Sequence, residues 1–246
     1  MQTIPLSVQS LHKEFARVTA VENVSFSVAP GEVLGIVGPN GAGKTTTIKM
    51  ILGLLIPDSG SVTVFGKSMS DMNVRKRIGY MPETPSFYSN LTGEELLCFV
   101  GELFRLPKDT IQTRSLRLLK QVGLQSAARR HLGTYSKGML QRICLAQSLI
   151  NDPELLFLDE PLDGLDPIGR IRMKEVLLEV KKRGTAIVLN SHILSDVELM
   201  SDRIAIMDRG VILKLDTVRA LIPRNKTLEE VFLDTIEANE VTKTVA

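Results

Sequence analysis

Apolar and polar positions alternate over residues 24–28 and stop at Pro30-Gly31, the pattern of a half-buried strand closed by a turn. Residues 33–37 follow as a short, mostly apolar run, which suits a strand covered on both faces. From Lys44 the period lengthens, and Ile48, Ile51, Leu52 and Leu55 recur at helical spacing until Pro57-Asp58-Ser59-Gly60 breaks the run. After a strand over 61–65, residues 92–122 read as mostly helix. Thr92 with Glu95 forms a capping-box pair, and Leu96, Val100, Leu103 and Phe104 fall on one face. Ile111, Leu118, Leu119 and Val122 continue the stripe to Gly123, a C-terminal cap. Residues 155–158 return to buried strand, a helix carrying Met173, Val176, Leu177 and Val180 closes at Gly184, and 186–189 and 204–207 read as strands. This order predicts an α/β core interrupted by a helical insertion.

Composition narrows the picture. With 246 residues and 43% hydrophobic side chains the chain can bury its own core, and a net charge of +2 gives no global reason to expect nucleic acid as a partner. The sign is uneven, since residues 105–142 carry Arg105, Lys108, Arg114, Arg117, Lys120, Arg129, Arg130, Lys137 and Arg142 against the single acid Asp109. Two readings stand for that stretch, positive helices facing anionic lipid or an acidic partner, and a merely solvated face; we favour the second. Cys98 and Cys144 lack the paired spacing of a metal site or disulfide and are expected as buried small hydrophobes in a reducing compartment. No run approaches the roughly 18 apolar residues of a bilayer span, so a soluble chain is expected, with any membrane role exercised through a partner.

Gly38-Pro39-Asn40-Gly41-Ala42-Gly43-Lys44-Thr45 has the spacing G, four residues, G-K-[ST], between a predicted strand and a predicted helix. Glycines there let backbone amides approach an anion, the helix N-terminus adds partial positive charge, and Lys44 supplies a cation for β and γ phosphates. Thr45 would ligate Mg²⁺ through its hydroxyl. Phosphoryl transfer also needs a cation site and an oriented water. Asp159 and Glu160, ending the buried run at 155–158, supply two carboxylates; as neighbours along a strand they would point to opposite faces, Asp159 toward Mg²⁺ and Glu160 toward the water. His192, after another strand, could reach the γ phosphate or be structural.

Thr134-Tyr135-Ser136-Lys137-Gly138-Met139-Leu140-Gln141-Arg142, lying between the phosphate loop and the carboxylates, resembles the signature motif of ABC ATPases. The resemblance covers about residues 6–221 and is closest to the ATP-binding subunits of bacterial type-two, multidrug-type ABC exporters, which commonly read like the segments 134–139 and 228–232 here. It implies an α/β P-loop NTPase core of the ABC ATPase kind, with an inserted helical subdomain at about 88–150 and an N-terminal antiparallel β subdomain. The cassette would span 1–222 and a helical tail 223–246. It further implies that Phe15 stacks on adenine with Val21 beside the ring, that Gly38 to Thr46, with Thr46 after Thr45, hold the phosphates, and that Glu83 stands where the family has its Q-loop glutamine. Glu83 could still reach Mg²⁺ or its water but has no amide hydrogens to donate.

By the same resemblance Ser136, Lys137 and Gly138 would cap the ATP held by an opposite copy, Asp166 would lie in the loop crossing between the two sites, and His192 would be the switch histidine. Ser136 also fits by itself as the N-cap of a helix whose start is an anion site. The implied protein is a cytoplasmic Mg²⁺-dependent ATPase, peripheral on the inner face of the membrane. It would pair with a second ATPase subunit, a homodimer being permitted, and with transmembrane permease subunits; Met81, Pro82, Phe87, Tyr88 and Leu91 offer apolar material near the groove where the family seats a coupling helix. A soluble ABC ATPase working on ribosomes or DNA is the rival, although neither tandem cassettes nor a zinc module is present. The guanine-reading Asn-Lys-x-Asp pattern does not occur, which argues against a GTPase switch.

Overall fold

The structure is a computed structural model and describes residues 3–244; residues 1, 2, 245 and 246, at the ends of the expected cassette and tail, lie outside the described residues. Strands β1 (Leu6–Phe15), β2 (Val18–Val28) and β3 (Val33–Val37) precede helix α1 (Lys44–Ile51). Then come β4 (Ser59–Val64), α2 (Met72–Arg75), β5 (Ile78–Met81), α3 (Gly93–Leu103), α4 (Lys108–Gln121) and α5 (Lys137–Ser148). They are followed by β6 (Leu155–Asp159), α6 (Pro167–Lys182), β7 (Ala186–Asn190), α7 (Leu194–Met200), β8 (Arg203–Asp208), β9 (Val211–Thr217), α8 (Val218–Leu221) and α9 (Leu228–Thr244). The chain divides into two compact units, one made of the residues up to Val74 together with Ala186 onward, the other of Arg75–Thr185.

In the first unit β1 lies between β2 and β4 in an antiparallel sheet. Alternation along β1 is broken by register shifts and by Ser10, whose backbone is left-handed (φ 47°) and whose amide donates to Ser25 Oγ at 2.7 Å. β3 runs parallel to β7 on one side and β8 on the other, and β9 closes the β8 edge antiparallel. β3 and β7 are buried along their whole length, which is why their sequences are almost unbroken apolar runs. α7 packs against β3 at Gly35, where an added Cβ would stand 2.3 Å from Val197 Cγ1. α1 is shorter than its period suggested. Gly53 (φ 68°) takes the chain out of the helix, and Leu55 lies beyond it.

In the second unit β5 and β6 pair in parallel, with Met81 opposite Leu158, and α3 to α6 supply the rest of the core. The Thr92–Glu95 capping box forms, each side chain bonding the other residue's amide. The apolar face of α3 is shifted from the one expected: Leu96 is buried as expected and Leu97 with it, Val100 and Phe104 are half-buried, and Leu103 is 66% exposed. Gly101 sets that face, because any Cβ there would come within 2.7 Å of Ile111 Cγ1 on α4. Ile111, Leu118, Leu119 and Val122 are buried as expected, and Gly123 (φ 68°) ends their stripe. Cys144 is buried, whereas Cys98 is only half-buried. Met81 is likewise core and offers nothing to a groove, while Tyr88 is exposed. Part of the basic run works inside the unit. Arg114 donates to Ile150 O at 2.9 Å, and Arg142 to the carbonyls of Gly138, Val122 and Gly123, each at 3.2 Å. Among the described residues no helix is long and apolar enough to cross a membrane.

Candidate functional site

β3 delivers the chain to Gly38, where a Cβ would fall 2.2 Å from Met207 O on the neighbouring β8. The turn closes with Ala42 N donating to Pro39 O at 3.1 Å, and Gly43 opens α1 with φ 99°. At Gly43 a side chain is excluded twice, by that left-handed backbone and by Ala20 O, 2.3 Å from an added Cβ. Lys44, only 8% exposed, donates through Nζ to Gly38 O at 2.7 Å and Pro39 O at 3.1 Å, so its charge is held against the loop itself. Asn40 and Gly41 are exposed at the loop's tip, Ala42 is buried, and Thr45 and Thr46 are half-buried in the first turn of α1. A helix opening on glycine with a lysine folded over the loop suits a multiply charged anion.

Other expected residues of this unit are less uniform. Phe15, at the end of β1, is 46% exposed with Lys13 Nζ 5.4 Å from its ring centroid. Asp58 fixes both neighbours of that ring, accepting from Lys13 Nζ at 2.6 Å and Glu14 N at 2.8 Å. Val21, expected beside an adenine ring, is fully buried, and an added Cβ at Gly43 would meet its Cγ2 at 3.3 Å. His192 is exposed just past β7, where Ser191 Oγ accepts from Ile193 N at 3.1 Å.

In the second unit Asp159 is the last residue of β6 and 2% exposed. Glu160 is not the next strand residue that simple alternation supposed: its backbone is left-handed (φ 51°), which turns the chain out of the strand. That conformation costs a non-glycine residue about 1–3 kcal/mol and persists only where neighbours hold it. Gln141 Nε2 donates to Glu160 O at 3.1 Å and Asp163 N to the same oxygen at 3.2 Å. Glu83 is exposed two residues beyond β5. Burial, then the charge of Asp159, with Cys144 and Glu83 adding, pushes the Tyr80 phenol up to about 12. Asp159 ends β6 and Glu83 follows β5, and these two strands pair in parallel.

Ser136 caps α5, accepting from Met139 N at 3.3 Å. Lys137 Nζ donates to Asp163 Oδ2 at 2.7 Å, and an added Cβ at Gly138 would lie 3.3 Å from Gly164 O, so the start of α5 is tied to the loop at 163–166. Asp166 caps α6 through Oδ1 to Gly169 N at 2.6 Å. Sequence reasoning missed Gln141 and Asp163 as supports. Gln141 lay inside the quoted signature segment, but nothing in spacing tells which carbonyl a glutamine will reach.

Thr45 in the first unit, and Asp159 and Glu83 in the second, are hard-oxygen donors of the kind Mg²⁺ takes, and among the described residues no cluster of three or more His, Cys, Asp or Glu forms a cage made of protein alone. Mg²⁺ commonly takes one or two protein oxygens, with phosphate oxygens and water supplying the rest.

The sequence profile described as ABC transporter matches residues 21–163, more than half of the chain. The chain belongs to the ABC transporter family. Among its relatives is an uncharacterised ABC transporter ATP-binding protein of Synechocystis, 47% identical over 80% of this chain and 56% of that protein. The chain thus spans little more than half the length of that relative and of a similar Nostoc protein, where the share is 58%. The bacitracin transport ATP-binding protein of Bacillus licheniformis is 37% identical over 92% of this chain and 74% of its own length. A solved ATP-binding subunit of an ABC transporter superposes with a TM-score of 0.88 at 31% identity, covering 94% of this chain and 99% of that one. The fold is accordingly that of an ABC ATPase cassette.

Proposed function

We propose that this chain binds ATP with Mg²⁺ and hydrolyses it as the cytoplasmic, membrane-peripheral ATP-binding subunit of an exporter, two copies closing on two nucleotides. The observation that carries the reading is the phosphate loop, where Gly43 opens α1 at φ 99° and Lys44 is folded against Gly38 O and Pro39 O. The buried carboxylates Asp159 and Glu160 support it. Relatives named for linearmycin resistance and bacitracin transport favour export over work on ribosomes or DNA. Transport also calls for permease subunits that span the bilayer.

In this reading Phe15 stacks on the base, and Gly38 to Thr46 receive the phosphates. Thr45, Asp159 and Glu83 would hold Mg²⁺, which when bound neutralises charge on the β and γ oxygens. Glu160 orients a water and takes its proton while the water oxygen bonds to the γ phosphorus. The bond from that phosphorus to the bridging oxygen breaks, giving ADP and phosphate. His192 steadies the γ phosphate. Ser136, Lys137 and Gly138 at the start of α5 face the nucleotide of the opposite copy, where a capped helix N-terminus favours negative charge. Asp166 lies at the crossing between copies.

The test is Mg-ATP binding and phosphate release by the wild-type chain, Lys44→Ala and Glu160→Gln. Lys44→Ala is expected to lose binding. Glu160→Gln should bind ATP but hydrolyse it at least about a hundredfold more slowly. Variants indistinguishable from wild type would sink the reading, and copurification with ribosomes or DNA instead of membrane proteins would favour the rival.

A further inference from the structure

The hairpin joining β8 to β9 touches the phosphate loop on one side and α9 on the other. Asp208 pairs with Val211, so Arg209-Gly210 is a two-residue loop, and both its members are left-handed (φ 45° and 84°). This is the loop in which Asn-Gly is favoured, because each central residue must take positive φ. Arginine at the first position is strained, and something must hold it.

The holding groups are on α9. Arg209 Nη2 donates to Glu240 Oε1 at 3.2 Å, and Asn239 Nδ2 donates to Asp208 Oδ2 at 2.9 Å. Asp208 is almost fully buried, with its Oδ2 also 3.8 Å from Arg209 Nε. On the loop's far side Gly210 N donates to Ala42 O at 2.9 Å, and Gly210 O accepts from Glu22 N at 2.8 Å. Ala42 O belongs to the residue before Gly43, the one that opens α1. Met207, two residues before the hairpin loop, crowds the phosphate loop twice, its O against Gly38 and its Cε 2.9 Å from an added Cβ at Gly43.

We infer that Asn239 and Glu240 are positioning residues for the phosphate loop, acting through the 208–210 turn to fix the Gly210–Ala42 hydrogen bond and with it the angle at which Gly43 and Lys44 meet a nucleotide. This rests on the reading of that loop as the ATP site. α9 thereby tunes nucleotide affinity without touching the nucleotide. Anything that lifts α9 from the turn, including a partner that grips it, lowers affinity.

Two measurements on the full chain test this, one of which needs no nucleotide. Hydrogen exchange at the Gly210 amide should quicken in Asn239→Ala/Glu240→Ala while exchange in β3 and β7 stays slow. In the same variant the Mg-ATP dissociation constant should rise by roughly two- to thirtyfold, the range over which residues remote from a ligand shift its affinity. Adding Arg209→Asn, which makes the loop favourable without its anchors, should bring both readouts back toward wild type. Loss of packing alone would lower stability without selective recovery by Arg209→Asn. Unchanged exchange at Gly210, or unchanged affinity, overturns the inference, as does a weakened affinity that Arg209→Asn leaves weak. Faster Gly210 exchange in a chain whose wild-type form binds no Mg-ATP would overturn the nucleotide reading and, with it, the role in affinity.

Discussion

The proposed phosphate loop of the first unit and the proposed signature segment of the second both open a helix, but they are held by different means. The loop rests on backbone: Ala42 bonds Pro39 and Gly210 through main-chain groups, and the packing at Gly38 and Gly43 leaves no room for a Cβ. The signature segment rests on side chains, with Ser136 capping α5, Lys137 reaching Asp163, Gln141 holding the Glu160 carbonyl and Asp166 capping α6. Backbone geometry specifies glycine at fixed spacing and tolerates little else. Side-chain tethers can be weakened one at a time, which is how a site adjusts its chemistry while its fold persists.

That contrast can be broken most severely at Gly43. Gly43→Ala adds about 1–3 kcal/mol of backbone strain, together with a clash against Ala20 O, and nucleotide binding should vanish by calorimetry; retained binding would show that the loop is not backbone-limited. Gln141→Leu is milder. It removes a buried donor to the left-handed Glu160, and phosphate release should fall roughly tenfold, about 1.4 kcal/mol in the barrier, with Mg-ATP affinity little changed. Equal loss of affinity would mean that Gln141 serves folding instead. Ser136→Ala should cost about 1 kcal/mol of stability, as N-cap losses do, read from urea unfolding, and Ser136→Asp should recover it.

A smaller effect is expected in the Thr92–Glu95 box, where the hydrogen bonds from Thr92 hold the Glu95 carboxyl below its ordinary value of 4.5. A depressed folded value means that the box is fully stabilising above pH 4.5 and is lost as pH falls through the lower folded value. Wild type and Glu95→Gln should therefore converge in unfolding midpoint at acid pH; a gap that persists at the lowest pH would deny the carboxylate's part.

Much of this was legible in residue order. β3, β6, β7 and β8 announce themselves as apolar runs because they are buried, and α6 and α4 by stripes ending at Gly184 and Gly123. β1 and β9 were not foreseen from pattern. β1 is bulged at Ser10, and β9 is an edge strand with intermediate and exposed positions, so neither gives a clean alternation. The period in α3 put Leu103 on the buried face, whereas the helix packs against α4 at Gly101, which leaves no room for a Cβ beside Ile111. Within the proposed site, spacing pointed to the glycines, the lysine and the carboxylates. It could not find Gln141, Asp163 or the 208–210 turn, whose roles depend on which distant carbonyl or amide the fold brings near.

The most direct measurement of the central claim is the mass in solution of the Glu160→Gln chain with and without Mg-ATP. A nucleotide held by the Gly38–Thr45 loop and capped by Ser136 of a second copy should double the mass only when Mg-ATP is present, and adding Lys44→Ala should abolish the doubling. A chain that stays single at saturating Mg-ATP, or that pairs equally well without it, would contradict the account.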